Sequence, residues 1–284
     1  MFTPATHGGI WTKDVWSKEA LRARQADRVM EIRVLNKDRD MLSGGQTLQI
    51  MEVGSLDETD VKADGTFETQ SPWKANRTLT VSDFKTAAFS IRDDFDVQTV
   101  MDCQSKFSEE IGKALSRGME LRLLALESGI AAGNRQNVTG DVTDDNIRSV
   151  IALMDADENF PKDGRYACFS AGQKSALLGI DKYNKANELA VASTKIGTLT
   201  GNLLAHLYGL EMCWTPLAVR RTMTATARTV ALFWHKEAFA KAVQKKWAVE
   251  KFRKGFAWEY AAAQLSGAAN VRTDFAYSLD TTNA

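Results

Sequence analysis

Residues 94–132 read DFDVQTVMDCQSKFSEEIGKALSRGMELRLLALESGIAA, and this stretch decides the fold. It contains no proline, and its apolar residues recur every three or four positions, which is the spacing of one helix face. That face comprises Val97, Val100, Met101, Phe107, Ile111, Ala114, Leu115, Gly118 and Met119. At about 1.5 Å per residue the predicted helix is about 55 Å long, well above the average for globular proteins. A helix of this length is typical of a scaffold, and we refer to it as the spine.

Both ends of the spine carry signals for the start and stop of a helix. Asp93 or Asp94 is suited to cap the N-terminal end, and Gly129 or Gly133 is suited to stop the helix. Near the C-terminal end the apolar residues spread around the helix, which predicts burial on more than one side. These residues are Leu121, Leu123, Leu124 and Leu126.

The bulk composition is that of a globular protein with no charge bias. Of 284 residues, 44% are hydrophobic and 25% are charged, and 36 acidic residues balance 36 basic ones. This balance gives no overall attraction to nucleic acid or membrane. The start of the chain does not resemble a signal peptide, and no apolar run approaches a membrane span. We expect a soluble protein made inside the cell, with Cys103, Cys168 and Cys213 as buried thiols.

Two segments precede the spine, an arm and a hairpin. Trp11 to about Leu35 has helical apolar spacing, the charge is nearly balanced from Trp11 to Asp40, and Ser43 to Gly45 interrupts the pattern. The alternation from Gln46 to Val53 predicts a strand. One face of this strand carries Leu48, Ile50 and Glu52.

The polar stretch after this strand predicts a projecting two-stranded hairpin. It has a turn signal at Asp64-Gly65 and strand-like ends at Thr66–Thr69 and Arg77–Val81. Phe84 to Ile91 then leads into the spine. A projecting hairpin cannot bury itself, so its order must come from a neighbour. Its near end is acidic, with Asp57, Glu58, Asp60, Asp64 and Glu68 against Lys62.

Helical and strand patterns alternate after the spine, which indicates an α+β class with a mixed or antiparallel sheet. Helices are predicted over Ile147–Glu158, with a cap at Thr143 to Asp145, after Ser170, and over His235–Lys246. Strands are predicted over Arg165–Ser170, Leu210–Trp214 and Thr229–Trp234, and from Trp247 to the C-terminus. Ala186 to Gly197 is weakly patterned and is interpreted as a mobile loop.

Candidate catalytic and metal-binding residues are few. His206 and Cys213 with nearby carboxylates could form a thiol-hydrolase set, but Cys213 falls in an apolar strand, where cysteine behaves as a small hydrophobic residue. His7, His206 and His235 lack a partner at metal-ligand spacing. The glycines of residues 197–209 match no phosphate-binding motif. We therefore expect no catalytic residue, no metal site and no cofactor.

Four later segments carry a resemblance to a known family. They are FPKDGRYACFSAGQKSALLG (160–179), IGTLTGNLLAHLYGLEMCW (196–214), TARTVALFWHKEAFAKAV (226–243) and FAWEYAAAQLSGAANVRTDFA (256–276). Together with the arm, hairpin and spine before them, they resemble the major capsid protein of tailed bacteriophages. The resemblance implies a Hong Kong 97-like capsid fold. It also implies an N-terminal arm (1–45), an extended β-hairpin loop (46–93), a peripheral domain with the spine helix (94–140), an axial domain (141–235) and a return to the peripheral domain as long strands (236–284).

The resemblance implies a structural function, not an enzyme. Copies would form the pentamers and hexamers of an icosahedral head around non-specifically packaged double-stranded DNA. The implied partners are other copies, a separate scaffolding protein (since no long N-terminal extension is seen), a portal protein at one vertex and a decoration protein in some heads. The location would be the virion, after assembly in the bacterial host cytoplasm through a procapsid that matures. An encapsulin-like compartment shell and, further off, a soluble enzyme with an unrecognised site stay open as alternatives.

Residues 236–254 hold seven lysine or arginine residues against two glutamates, and three interpretations stay open. A solvated helix face is the simplest, and contact with DNA phosphates is a second. The third interpretation applies in a shell, where the basic segment would contact the acidic hairpin of a neighbouring copy. That hairpin would then also lie over the early face of the spine in the copy that it contacts. The predicted inter-subunit contacts are Asp57, Asp60, Lys62, Asp64, Trp73, Lys74, Glu109, Lys113, Lys245, Lys246 and Lys251.

Overall fold

The computed structural model describes residues 28–41, 44–54, 56–62, 65–92, 103–180, 203–217, 220–223 and 226–282. The helices are α1 (Asp38–Met41), α2 (Cys103–Ala125), α3 (Asp144–Ala156) and α4 (Ala171–Leu178). The first strands are β1 (Leu35–Asn36), β2 (Thr47–Val53), β3 (Trp73–Thr80), β4 (Asp83–Arg92), β5 (Arg135–Val138), β6 (Arg165–Phe169) and β7 (Leu203–Leu207). The remaining strands are β8 (Leu210–Trp214), β9 (Arg220–Met223), β10 (Thr226–His235), β11 (Phe239–Lys245), β12 (Val249–Lys254), β13 (Ala257–Asn270) and β14 (Ala276–Thr281).

A five-stranded sheet is built around the long strand β13. Strand β4 pairs antiparallel with one edge of β13, from Ala257↔Arg92 to Ser266↔Asp83. The other edge pairs with β12 and then with β11, and β11 pairs in parallel with the short strand β1. The predicted long strands near the C-terminus are therefore confirmed. Residues 84–91, expected to lead into the spine, belong to β4 and form an edge of this sheet.

The spine is confirmed as α2 over its described part, and its buried residues follow the predicted face. Ile111, Leu115 and Met119 are buried one turn apart, and the first two pack on Tyr260 and Ala262 of β13. This contact places the spine across the five-stranded sheet. The predicted cap at residues 93 and 94 lies outside the described residues.

The C-terminal end of the spine is less buried than predicted. Leu123 and Leu124 are buried, but Leu121 is 43% exposed because only one side of the helix meets the core. A 3-10 turn over Leu126–Gly129 ends at one of the two predicted stops. A Cβ atom on Gly129 would lie 1.8 Å from Asn270 Nδ2, so a side chain there would have to displace the Asn270 amide, which donates to the Leu126 carbonyl.

The main hydrophobic core surrounds a mixed seven-stranded sheet of order β5-β14-β10-β6-β8-β7, with β9 paired to β10. Trp234, Phe233 and Phe169 are fully buried on its central strands. Helix α3 packs against this core through Ile147, Val150 and Met154. Its predicted cap is confirmed, since the Thr143 side chain accepts a hydrogen bond from the Asn146 backbone N–H. Helix α4 is also capped, since Ser170 and Gln173 form a capping box at its start. Side-chain caps therefore fix where α3 and α4 begin.

Among the described residues, the hairpin of β2 and β3 packs on the five-stranded sheet at its base, which we call the hairpin root. There Leu79 and Val81 are buried against Ala240, Ala242 and Val271. The predicted face of Leu48, Ile50 and Glu52 is confirmed as the more buried side of β2. The strand predicted at Thr66–Thr69 is wrong, since the ladder ends at Trp73 just after Pro72, which has no N–H to donate.

The structure corrects the helix predicted over His235–Lys246. Residues 239–245 form β11, and five consecutive side chains of this strand are buried. Lys241, which suggested a polar helix face, is buried with its Nζ 2.8 Å from Glu31 Oε1. Periodicity alone does not distinguish a short strand with two buried faces from a buried helix.

The arm prediction can be compared with the structure only at its end, because residues 1–27 lie outside the described residues. Residues 28–34 form turns and bends, followed by β1, so the predicted helix is wrong there. The backbone N–H groups of Val29, Met30 and Glu31 bond to the Glu120 carboxylate of the spine. The loop predicted at residues 186–197 is also outside the described residues.

Candidate assembly surface

The far end of the hairpin, residues 56–62 and 65–70, is a surface that its own chain leaves exposed; we call it the hairpin tip. Three apolar side chains stand out of it, with exposed fractions of 60% for Leu56 and 69% for both Val61 and Phe67. The tip is shaped by its own contacts: Gln70 bonds to both backbone polar groups of Asp57, at 2.9 and 3.1 Å. Such a shaped but uncovered apolar surface is typical of an interaction site.

The predicted contacts on the hairpin divide into those the structure places and those it does not. Asp57, Asp60 and Lys62 are exposed on the tip. Lys62 forms an ion pair with Glu68, 3.1 Å away, so it helps to shape the tip. Asp64 lies outside the described residues. Trp73 and Lys74 begin β3, where only their backbone is described.

The spine presents its predicted polar residues beside the five-stranded sheet. Glu109 is exposed, and Lys113 is half-buried with its Nζ 2.7 Å from Glu110 Oε1. On the next face, Trp247 lies against Gly112, where a Cβ atom would come within 2.7 Å of the indole ring. The loop between β11 and β12 is thereby held against the spine.

A cleft of about 350 Å³ opens between the spine, the base of the arm (residues 28–36) and this loop. Arg28, Lys246 and Trp247 line it, and Gln264 contributes a buried Oε1 that has no hydrogen-bond partner among the described residues. Lys245 and Lys246 are exposed at the end of β11. Two of the predicted basic contacts therefore lie next to the spine.

The hairpin of β12 and β13 carries the third predicted basic contact and two exposed rings. Lys251 Nζ lies 4.1 Å from the centre of the Trp258 ring, and the Arg253 guanidinium lies 4.7 Å from it. These cations are thus held over an aromatic surface of the sheet. Phe252 is exposed, and Phe256 beside the turn is 87% exposed. The exposure of the Phe256 ring was not predicted, because one aromatic residue in an alternating strand pattern does not show which side of the strand it lies on.

Comparison with solved structures identifies the fold. A structure from Mycobacterium phage Che8 is 19% identical and covers 95% of this chain and 97% of its own, with a TM-score of 0.69. The capsid structure of cyanophage P-SCSP1u is 17% identical and covers 97% and 94%, with a TM-score of 0.72. The capsid of Ralstonia phage GP4 is 12% identical and covers 96% of both chains, with a TM-score of 0.73. This is the Hong Kong 97-like capsid fold.

The capsid fold is shared at low sequence identity, and the other comparisons agree with that distance. No protein-family model matches this chain, and neither does any curated protein sequence. The predicted fold class is confirmed.

The thiols and histidine of this capsid fold behave as buried core groups. Cys168 and Cys213 lie opposite each other on β6 and β8, and both are buried as predicted. The hydrogen bond that the Cys168 thiol donates to Cys213 and the burial of Cys168 both raise the pKa of this thiol, which disfavours a reactive thiolate. Burial lowers the pKa of His235. Among the described residues there is no cluster that could hold a metal ion, and no helix is long and apolar enough to cross a membrane.

Proposed function

We propose that this protein is the major capsid protein of a tailed bacteriophage. Many copies assemble through repeated contacts into pentamers and hexamers, and these close an icosahedral head around double-stranded DNA. The observation that carries the proposal is a hairpin buried at its root and uncovered at its tip, in a chain that matches phage capsid structures over nearly its whole length. The role is structural, not catalytic.

The proposed division of the chain follows the arm (1–45), the hairpin loop (46–93), the spine region (94–140), the axial domain (141–235) and the returning strands (236–284). The five-stranded sheet with the spine supports a peripheral domain, and the seven-stranded sheet supports an axial domain. The last strand, β14, joins the seven-stranded sheet and so connects the chain's end to the axial half.

The tip of one copy is proposed to lie on the basic face of its neighbour. The tip carries Asp57 and Asp60 beside its exposed apolar residues, whereas the neighbour's surface offers Lys245, Lys246 and Lys251 near exposed rings. Opposite charges fix the docking direction, and the apolar residues on both sides supply burial.

The remaining predicted contacts support this surface. Glu109 and Lys113 lie on the spine, next to the face that the tip would cross. Trp73 and Lys74 begin the strand that returns from the tip. Because the two surfaces belong to one chain and differ from each other, the contact is head-to-tail, and such contacts generate rings when the rotation closes.

The proposed partners follow from a phage head. Besides other copies, they are a separate scaffolding protein during assembly, a portal protein at one vertex, packaged DNA bound without sequence preference and, in some heads, a decoration protein. The proposed location is the virion, after assembly and maturation in the host cytoplasm.

Electron microscopy of the protein expressed with its neighbouring phage genes tests the proposal. We expect closed shells, rings or polymerised tubes, and nuclease-protected DNA inside heads made during infection. Shells that hold protein cargo and no DNA would favour an encapsulin-like compartment. A small monodisperse particle under every condition would contradict a capsid function.

A further inference from the structure

The base of the arm, residues 28–36, meets the spine at a buried carboxylate. Glu120 is 1% exposed, and its two oxygens accept hydrogen bonds from three consecutive backbone N–H groups. Oε1 lies 3.0 Å from Val29 N and 2.7 Å from Met30 N, and Oε2 lies 3.0 Å from Glu31 N. This is the geometry of an anion bound in a concave run of backbone amides.

Burying a carboxylate at this position costs free energy unless the carboxylate is hydrogen-bonded. Burial raises the pKa of the Glu120 carboxyl, the three amide bonds lower it, and the nearby Glu31 carboxylate raises it further. Its neighbours one turn along the same face, Leu123 and Leu124, are apolar core residues, and a leucine would pack there without this cost. Since packing does not require the charge, the amides of the arm base account for it.

The arm base is also attached to both sheets, through side chains and through the backbone pairing of β1 with β11. Glu31 pairs with Lys241 of β11 at 2.8 Å, and Arg33 donates to Glu211 of β8. Trp234 Nε1 of β10 donates to the Arg33 carbonyl, 3.2 Å away. Glu120 is the group that engages the backbone itself on the spine side.

We propose that Glu120 is an anchor, a positioning residue that fixes the arm base to the spine and so sets where the N-terminal arm leaves the body. The anchor joins the base of the N-terminal arm to the long helix that packs on the five-stranded sheet. Its significance for shells rests on the proposed function, but the anchor itself is a property of the single chain.

Hydrogen exchange of the full-length protein tests the anchor directly. In Glu120→Ala all three amides lose their acceptor, and we expect exchange at residues 29–31 to become about tenfold faster or more. Core amides at residues 230–234 should keep their wild-type rates. Glu120→Gln keeps one carbonyl acceptor and places an amide where Oε2 was, so it should accelerate exchange less. If Glu120→Ala does not fold, Glu120→Gln carries the test.

Glu127→Gln is the matched control, since it neutralises another buried carboxylate at the end of the spine. It should leave exchange at residues 29–31 unchanged. Unchanged exchange there in the Glu120 variants, or equal acceleration there and in the core, would overturn the anchor. If the protein forms no shells yet the exchange result holds, the anchor stands and the capsid function fails.

Discussion

The root and the tip of one hairpin have opposite surroundings. At the root, Leu79 is fully buried and the Thr80 carbonyl lies so close to β13 that only glycine fits at position 267. At the tip, Phe67 is exposed, and the ion pair and hydrogen bonds that shape the tip join residues of the tip itself. The root is therefore determined by folding, whereas we propose that the tip serves contacts made after folding. A change at the root should alter the stability of a single chain, and a change at the tip should alter assembly.

The largest effect on stability is expected from Gly267→Ala. Its Cβ would lie 2.1 Å from the Thr80 carbonyl oxygen, which is backbone and cannot rotate away. We expect the free energy of unfolding to fall by about 3 kcal/mol, measured by urea denaturation. Gly118→Ala is the control, since it is a helical position and, among the described residues, no atom beyond its own turn of helix lies within 4 Å of its Cβ. That change should raise stability by about 0.5–1 kcal/mol, and equal effects of the two would contradict the close contact at the root.

A smaller effect is expected when the pH is changed around the pKa of His235, at the end of β10 in the seven-stranded sheet. Because burial lowers the pKa of this imidazole in the folded state, the unfolded chain binds more protons below the ordinary histidine pKa of about 6.5. This contribution to stability is complete above that pH and is lost as the pH falls through the folded pKa, at most about 1.4 kcal/mol per pH unit. His235→Asn keeps an acceptor for the Glu237 N–H and should flatten the slope. Identical slopes for the two proteins would rule out this role; Arg165, Arg272 and Glu237 are the other charged groups acting on this ring.

No effect on single-chain stability is expected from Phe67→Ser at the tip. The side chain is 69% exposed, so its loss removes little buried surface within the chain. The free energy of unfolding should stay within about 0.5 kcal/mol of wild type, while assembly yield falls because the ring would be buried in a neighbour. A large loss of stability would place the ring in an intrachain contact instead.

The sequence correctly predicted elements with a clear apolar periodicity. The prediction failed where an element is buried on two faces, because its apolar residues then show no strand periodicity. The spine face, the Thr143 cap and the strands at residues 165–169 and 210–214 were all predicted because their patterns are local. Strand β11 was predicted as a helix because both of its faces are buried. The Glu120 anchor gave no signal, since backbone amides 89 to 91 residues away leave no pattern in side chains.

The candidate surface could be predicted only in outline. Charge located the acidic tip and the basic lysines, but not that Lys62 is paired with Glu68 or that Lys251 lies over Trp258. Those details depend on which residues the fold brings together across strands. The exposed ring of Phe256 likewise depends on its place beside a turn at Gly255, whose φ is +59°.

The central claim, that the tip of one copy binds the basic face of the next, is tested most directly by charge reversal and rescue. Replacing Lys245, Lys246 and Lys251 with glutamate should prevent shells from forming, because the acidic tip then meets like charge. Replacing Asp57, Asp60 and Asp64 with lysine in the same chain returns the net charge to its original value. This second variant should again form shells in electron micrographs. Urea denaturation of each variant checks that the single chain still folds. Normal shells from the first variant, or no rescue by the second while the chain remains folded, would contradict the account.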